Sequence, residues 1–162
     1  MIELLIVIAI IGIIAAIVLV AVNPTQRLAS ARDARRSAEA YSILNAVLNY
    51  TVDKSGAFPP SLVAAATTTP LMIGSATSGC NDSRICSVST GITIPNASCV
   101  NLGADIVDAY DAIIPYDPKP NITTGFVYSS TATGYYIIKN ANNRIEVGSC
   151  NPENVATIKV KR

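Results

Sequence analysis

Residues 4–22 read LLIVIAIIGIIAAIVLVAV, nineteen positions without one polar side chain. As a helix rising about 1.5 Å per residue the run spans about 28 Å, close to the roughly 30 Å thickness of a bilayer's hydrocarbon. Few folds can accommodate such a segment. A cleaved secretory signal would have a shorter apolar core, a basic flank before it and a small-residue cleavage site after it, whereas this run follows Met1-Ile2-Glu3. A buried core helix that is apolar on all sides needs a larger protein around it than 162 residues provide. The segment therefore reads as a membrane-compatible helix attached to a single modest domain.

Asn23-Pro24 ends the run. Proline lacks an amide hydrogen and disfavours helix in the residue before it, so a break is expected, with Asn23 as N-cap and Pro24 opening a second helix. From Pro24 to about Lys54 the chain reads as amphipathic, Ala34, Ala38, Tyr41, Leu44, Leu48 and Val52 recurring against Arg35, Arg36, Glu39, Ser42, Asn45 and Asn49. Ser55-Gly56 and Pro59-Pro60 stop it. The expected organisation is a span over 1–22, its amphipathic continuation over 23–54 and a globular head over 55–162.

The head opens with a Thr/Ser/Ala/Gly-rich stretch, 61–100, that predicts loop. Leu102–Ile113 predicts a short helix, and Pro115, Pro118 and Pro120 an extended connection. Strand signals follow at Gly125–Ser129, Tyr135–Lys139, Arg144–Val147 and Val155–Val160, separated by turn-forming residues. The fold class expected is α+β, the long helix packed on one face of an antiparallel sheet of about four strands.

Histidine is absent, which removes Ser-His-Asp and Cys-His catalysis, HExxH zinc sites and CxxCH haem attachment together. No patterned lysine stands in for it, so the reading is of a protein that is not an enzyme, with no catalytic residue, metal or cofactor. The net charge of +1 gives no basic footprint for nucleic acid. Cys80, Cys86, Cys99 and Cys150 are an even set without CxxC spacing in a loop-rich region, favouring disulfides formed outside the cytoplasm. Of three possible connectivities, Cys80–Cys86 with Cys99–Cys150 is the expectation, the first closing a small loop and the second tying the sheet to the variable region.

Arg27, Arg32, Arg35 and Arg36 read as a solvated or inter-subunit charged face with Asp33 and Glu39 as partners. Asp105, Asp108 and Asp111 read as a solvated helix face rather than a calcium site, there being no glycine-anchored ligand loop. Asn49, Asn81, Asn96 and Asn121 each head a glycosylation sequon.

The segment Ile2-Glu3-Leu4-Leu5-Ile6-Val7-Ile8-Ala9-Ile10-Ile11-Gly12-Ile13-Ile14-Ala15-Ala16, an acidic residue at one end of an unbroken span with glycine nine residues on, resembles the amino-terminal assembly segment of bacterial type IV pilins and of type II secretion pseudopilins. The match covers about the first 50 residues; beyond them only the layout is similar. The resemblance implies a filament subunit held in the inner membrane and then polymerised into an extracellular fibre used in adhesion or motility. A prepilin peptidase and an assembly platform with its ATPase are the implied partners. Met1 falls where the family has the third residue of its mature chain, so a basic leader and two residues are expected before it, and N-methylation of the processed terminus is a family trait. Glu3 takes the place of the glutamate that pairs with a neighbouring subunit's amino terminus. Gly12 and Pro24 are expected to weaken the helix for packing, and Gly12 also forms a small-xxx-small pair with Ala16. A pseudopilin in a short periplasmic filament is one alternative, and a single-span anchor carrying a binding domain is another.

Overall fold

The computed structural model describes residues 1–64, 68–86, 91–121 and 123–162. Helix α1, Ile2–Val22, and helix α2, Pro24–Asp53, are separated by Asn23 alone. Asn23 is left-handed (φ 41°, ψ 76°), and its side-chain oxygen accepts the Gln26 amide at 3.4 Å and the Thr25 hydroxyl at 2.8 Å. The break and the cap stand where the sequence predicts them. Ser55 (φ 56°) and Gly56 (φ 96°) turn the chain out of α2.

Four antiparallel strands follow the order β1-β2-β3-β4: Leu71–Met72, Tyr135–Lys139, Ile145–Ser149 and Ile158–Lys161. Among the described residues the head also has two short helices, α3 (Pro60–Ala64) and α4 (Gly103–Ile106). Helix α2 lies against β3 and β4. Its Ala40, Ile43, Leu44 and Val47 share a core with Tyr135, Ile137, Ile145, Val147 and Val160. The opposite face of the sheet is buried too, under a second cluster of Met72, Ile85, Tyr128, Tyr136 and the cysteines. Tyr136 pairs across the ladder with Gly148, where a β-carbon would lie 2.4 Å from the tyrosine; only glycine admits the ring.

Tyr135–Lys139 is a strand as predicted, and the next two strands shift by one to three residues at their ends. The Gly125–Ser129 expectation fails, and Leu71–Met72 takes the place beside β2. Residues 123–128 fold back on Asn121 instead: Asn121 accepts the Thr123 and Thr124 amides on its side chain, and its own amide donates to the Phe126 carbonyl. Phe126 and Tyr128 pack edge to face in the second cluster, so their alternation serves a turn. The helix expected over Leu102–Ile113 lasts one turn, because left-handed Asp108 (φ 69°) reverses the chain and Ser42 donates to Asp111 from α2. The loop reading of 61–100 holds in part, with α3 and β1 as exceptions, and its portions at 65–67 and 87–90 lie outside the described residues.

The apolar stripe of α2 is also displaced from the expected one. Ala29, Asp33, Arg36, Ala40, Ile43, Leu44 and Val47 face the head, while Ala34, Ala38, Tyr41 and Val52 are exposed. Alanine marks either face equally well, and Ile43 and Val47 decide between them.

All four cysteines are in disulfides, but as Cys80–Cys99 and Cys86–Cys150, not the expected pairs. The cause is a return of the chain: Cys99 donates to the Ala76 carbonyl and Val100 to Met72, and the Cys80 amide donates to Ala97, setting Cys99 beside Cys80 with α-carbons 5.4 Å apart. Cys86 then meets Cys150 at the end of β3, at 4.6 Å.

The bonds enclose 64 and 19 residues of separation, for which loop entropy assigns about 4 and about 3 kcal/mol. The two loops interlock, each bond shortening the loop the other must close. Urea unfolding of the detergent-solubilised chain is expected to show Cys86→Ala/Cys150→Ala less stable than Cys80→Ala/Cys99→Ala by about 1 kcal/mol.

Candidate assembly segment and the charge cluster beneath it

Every side chain described on α1 is exposed, and Ile2–Val20 is long and apolar enough to cross a membrane. Ordinary helices of folded domains bury a stripe; over Ile2–Val20 this one buries nothing against its own chain. Met1 precedes the helix without a side-chain cap, and Glu3 lies in the first turn. Gly12 has no neighbour within 4 Å of where a β-carbon would stand, so nothing inside the chain requires glycine there. Pro24 opens α2 at the far end. These four residues are strung along one rod and do not meet, while the cysteines pair within the head.

A second arrangement, absent from the sequence reading, sits where α2 joins the head. Arg36 is expected on a solvated face, yet it is fully buried. Its Nε and Nη2 grip Asp117 in a fork at 2.6 and 2.9 Å, and Nη1 donates to Asp33 at 2.9 Å and Glu153 at 2.8 Å. Glu153 also takes Arg32 through two bonds of 2.6 Å and the Lys119 ammonium. Asp33 accepts the backbone amides of Glu153 and Asn154 as well. Three cations thus face three carboxylates, drawn from α2, the proline-rich segment and the loop after β3. Such a cluster tolerates burial because each charge has a partner.

Burial works against the Arg36 charge, but the bonds to Asp117, Glu153 and Asp33 more than offset it and raise its pKa. Glu153 is held well below the usual carboxylate range, by Arg32 first and then by Lys119 and Arg36, against the opposing effect of burial. Burial pushes the Tyr128 and Tyr136 hydroxyls up to about 12; Tyr135 moves the same way through burial and its bond to Glu39. Of the expected pairs, Arg35–Glu39 and Arg36–Asp33 form, and Arg32 goes to Glu153. The partners of Arg36 at Asp117 and Glu153 are 81 and 117 residues away, and only the i, i+3 spacing of Asp33 and Arg36 hints at the cluster locally.

With Arg32, Asp33 and Arg36 turned to the head, the outward stripe of α2 from Ala31 onward comprises Ala31, Ala34, Ala38, Tyr41, Asn45, Asn49 and Val52, all exposed and uncharged; exposed Arg27 stands on the same face one turn earlier, and exposed Arg35 lies beside it. Surface helices usually carry their charges on that side.

Asp105 accepts from Ser61 and Asp111 from Ser42, and among the described residues no three acidic or cysteine side chains are grouped to hold a metal. Asn121 is buried with its amide bonded to Tyr128, which removes it as a glycan acceptor; Asn81 is exposed. No family model, curated protein or solved structure matches the chain.

An unfolded glutamate takes up its proton near pH 4.3, roughly, whereas folded Glu153 resists it to lower pH. The stabilisation is therefore complete above about pH 5 and is lost as pH falls towards the folded pKa. Urea unfolding across that range is expected to show Glu153→Gln with a flatter acid decline than the parent chain. At pH 7 Arg36→Met, which leaves three carboxylates facing fewer cations, is expected to cost about 3–5 kcal/mol.

Proposed function

We propose that this chain is a structural subunit of the type IV pilin kind, held in the inner membrane by α1 and polymerised through α1 into an extracellular filament. The observation that carries the reading is an apolar rod whose described side chains, Ile2–Val20, have no cover in their own chain, continued by a helix whose outward stripe is uncharged from Ala31 to Val52. Lipid satisfies the first of these surfaces but gives no reason for the second. Packing of copies around a common axis covers both, with the heads outside.

Glu3 then pairs with the amino terminus of the next copy as it leaves the bilayer, neutralising two charges that are costly in an apolar interior. Gly12, free of intrachain contacts, lets a neighbouring helix approach closely or lets the rod adjust as it packs. Catalysis forms no part of the role, and energy for assembly comes from partner machinery.

Glu3→Ala in the native host is expected to leave the membrane-fraction level unchanged, since removing a charge from the end of a span eases insertion. Fibre counts are expected to fall at least about tenfold, because each junction would hold an orphaned ammonium costing several kcal/mol. Normal fibre numbers at normal membrane levels would contradict the pairing. Membrane-held single copies and no fibres in the parent strain would favour the anchor instead.

A further inference from the structure

Outside the Arg36 cluster, the charges of the head are sorted by sign onto its two edges. Asp53 and Asp108 are exposed, and Asp105 and Asp111 half-buried. Asp105 and Asp111 accept the hydroxyls of Ser61 and Ser42, and Asp53 that of Tyr110, but among the described residues no salt bridge joins any of the four to a cation. Lys54, set against the Tyr50 ring, leaves this flank net negative. Arg144, Lys159, Lys161 and Arg162 are exposed, with Glu146, 3.8 Å from Lys161, as the acid beside them.

Topology keeps the two groups apart. Val100 runs along the side of β1 away from β2, its amide donating to Met72 and its carbonyl accepting Gly74, and the chain leads from there into α4. The Tyr50–Tyr110 ring pair brings the end of α2, and with it Asp53, to the same flank. Strand β4 is the other edge, three strand spacings or roughly 14 Å across the sheet. That edge is open: Ile145 and Arg162 exchange both backbone bonds, so Lys159 and Lys161 turn their amides and carbonyls outward. Lysines on an open edge keep two such edges from pairing with each other, and two aspartate flanks repel likewise. Only unlike flanks attract.

We propose that the β4 edge of one copy docks on the aspartate flank of a second copy. The contact joins two different surfaces, so a pair of copies still offers one free flank of each sign and association continues beyond two. Exposed Ile113, close after Asp111, and Val155, at the rim of the groove between β4 and α2, give the contact an apolar part. The contact extends the filament reading to the heads, yet it belongs to the surfaces of the single chain and its test needs no fibre.

The test uses the full chain with its disulfides intact in uncharged detergent micelles, with association read by sedimentation velocity. The parent chain is expected to form oligomers that grow with concentration at about 0.01 M salt, where the Debye length is roughly 30 Å, and to associate at least about tenfold more weakly at about 1 M, where it is roughly 3 Å. Arg144→Glu/Lys159→Glu and Asp53→Lys/Asp111→Lys each set like signs on both flanks and are expected to stay single, while an equal mixture of the two associates. The four substitutions together exchange the flanks and are expected to restore the parent's behaviour. Recovery in the mixture or in the fourfold variant also shows that the changed heads still fold. A parent chain that stays single at low salt, a reversal variant that associates alone as the parent does, or a mixture and a fourfold variant that both stay single would overturn the contact. Fibres in the host alongside any of those results would leave the filament reading standing; salt-dependent association without fibres would keep the contact and remove that reading.

Discussion

Seventeen apolar side chains between Ile2 and Val20 on α1 find no cover within the molecule, and the rest of the chain is built around that constraint. Burying one leucine- or isoleucine-sized side chain is worth about 1.5–3 kcal/mol, so the uncovered rod represents tens of kcal/mol, far beyond the net stability of most domains. No rearrangement of the head can absorb it, since both faces of the sheet already have their own cores. Cover has to come from outside the head, and α1 is long and apolar enough for a bilayer to supply it. The head is accordingly self-contained, tied by two interlocked disulfides and by a helix that packs through its own apolar stripe.

The Arg36 cluster carries this constraint beyond α1. Turning Arg32, Asp33 and Arg36 inward costs desolvation, which three carboxylates and three cations offset among themselves. An apolar side chain at 36 with apolar partners would hold the same elements together at no greater cost. What the ionic arrangement adds is geometry: one guanidinium fixes the proline-rich segment and the post-β3 loop to a single point on α2, and the outward stripe stays uncharged from Ala31 to Val52. The head and its outer helix surface are thus linked through one buried side chain.

Local chemistry was legible in the sequence, and long-range chemistry was not. The α1 span, the Asn23-Pro24 break and Tyr135–Lys139 rest on contiguous signals, and the structure places them as read. The inward face of α2 was ambiguous because alanines mark both sides, and the burial of Arg36 depends on residues 81 and 117 positions away. β1 is two residues long and owes its place to pairing with β2, whereas Phe126 and Tyr128 alternate like a strand while their backbone closes a local turn. The cysteine pairing turned on the return of residues 97–100 past 72–80, which spacing along the chain does not encode. Of the residues expected to act in assembly, Glu3 and Gly12 stand along the exposed rod and Pro24 at its end, and the Ala31–Val52 stripe of α2 came to light only once the helix was seen packed.

The claim on which the account rests is that copies of this chain cover one another's α1. Electron cryomicroscopy of material sheared from cells that express it tests this directly. The account predicts long helical fibres with α1 in the interior, the Ala31–Val52 stripe of α2 turned towards the axis and the disulfide-bonded heads outside. Fibres with α1 on their surface, or a chain that remains in the membrane as separate copies with no fibre at all, would contradict it.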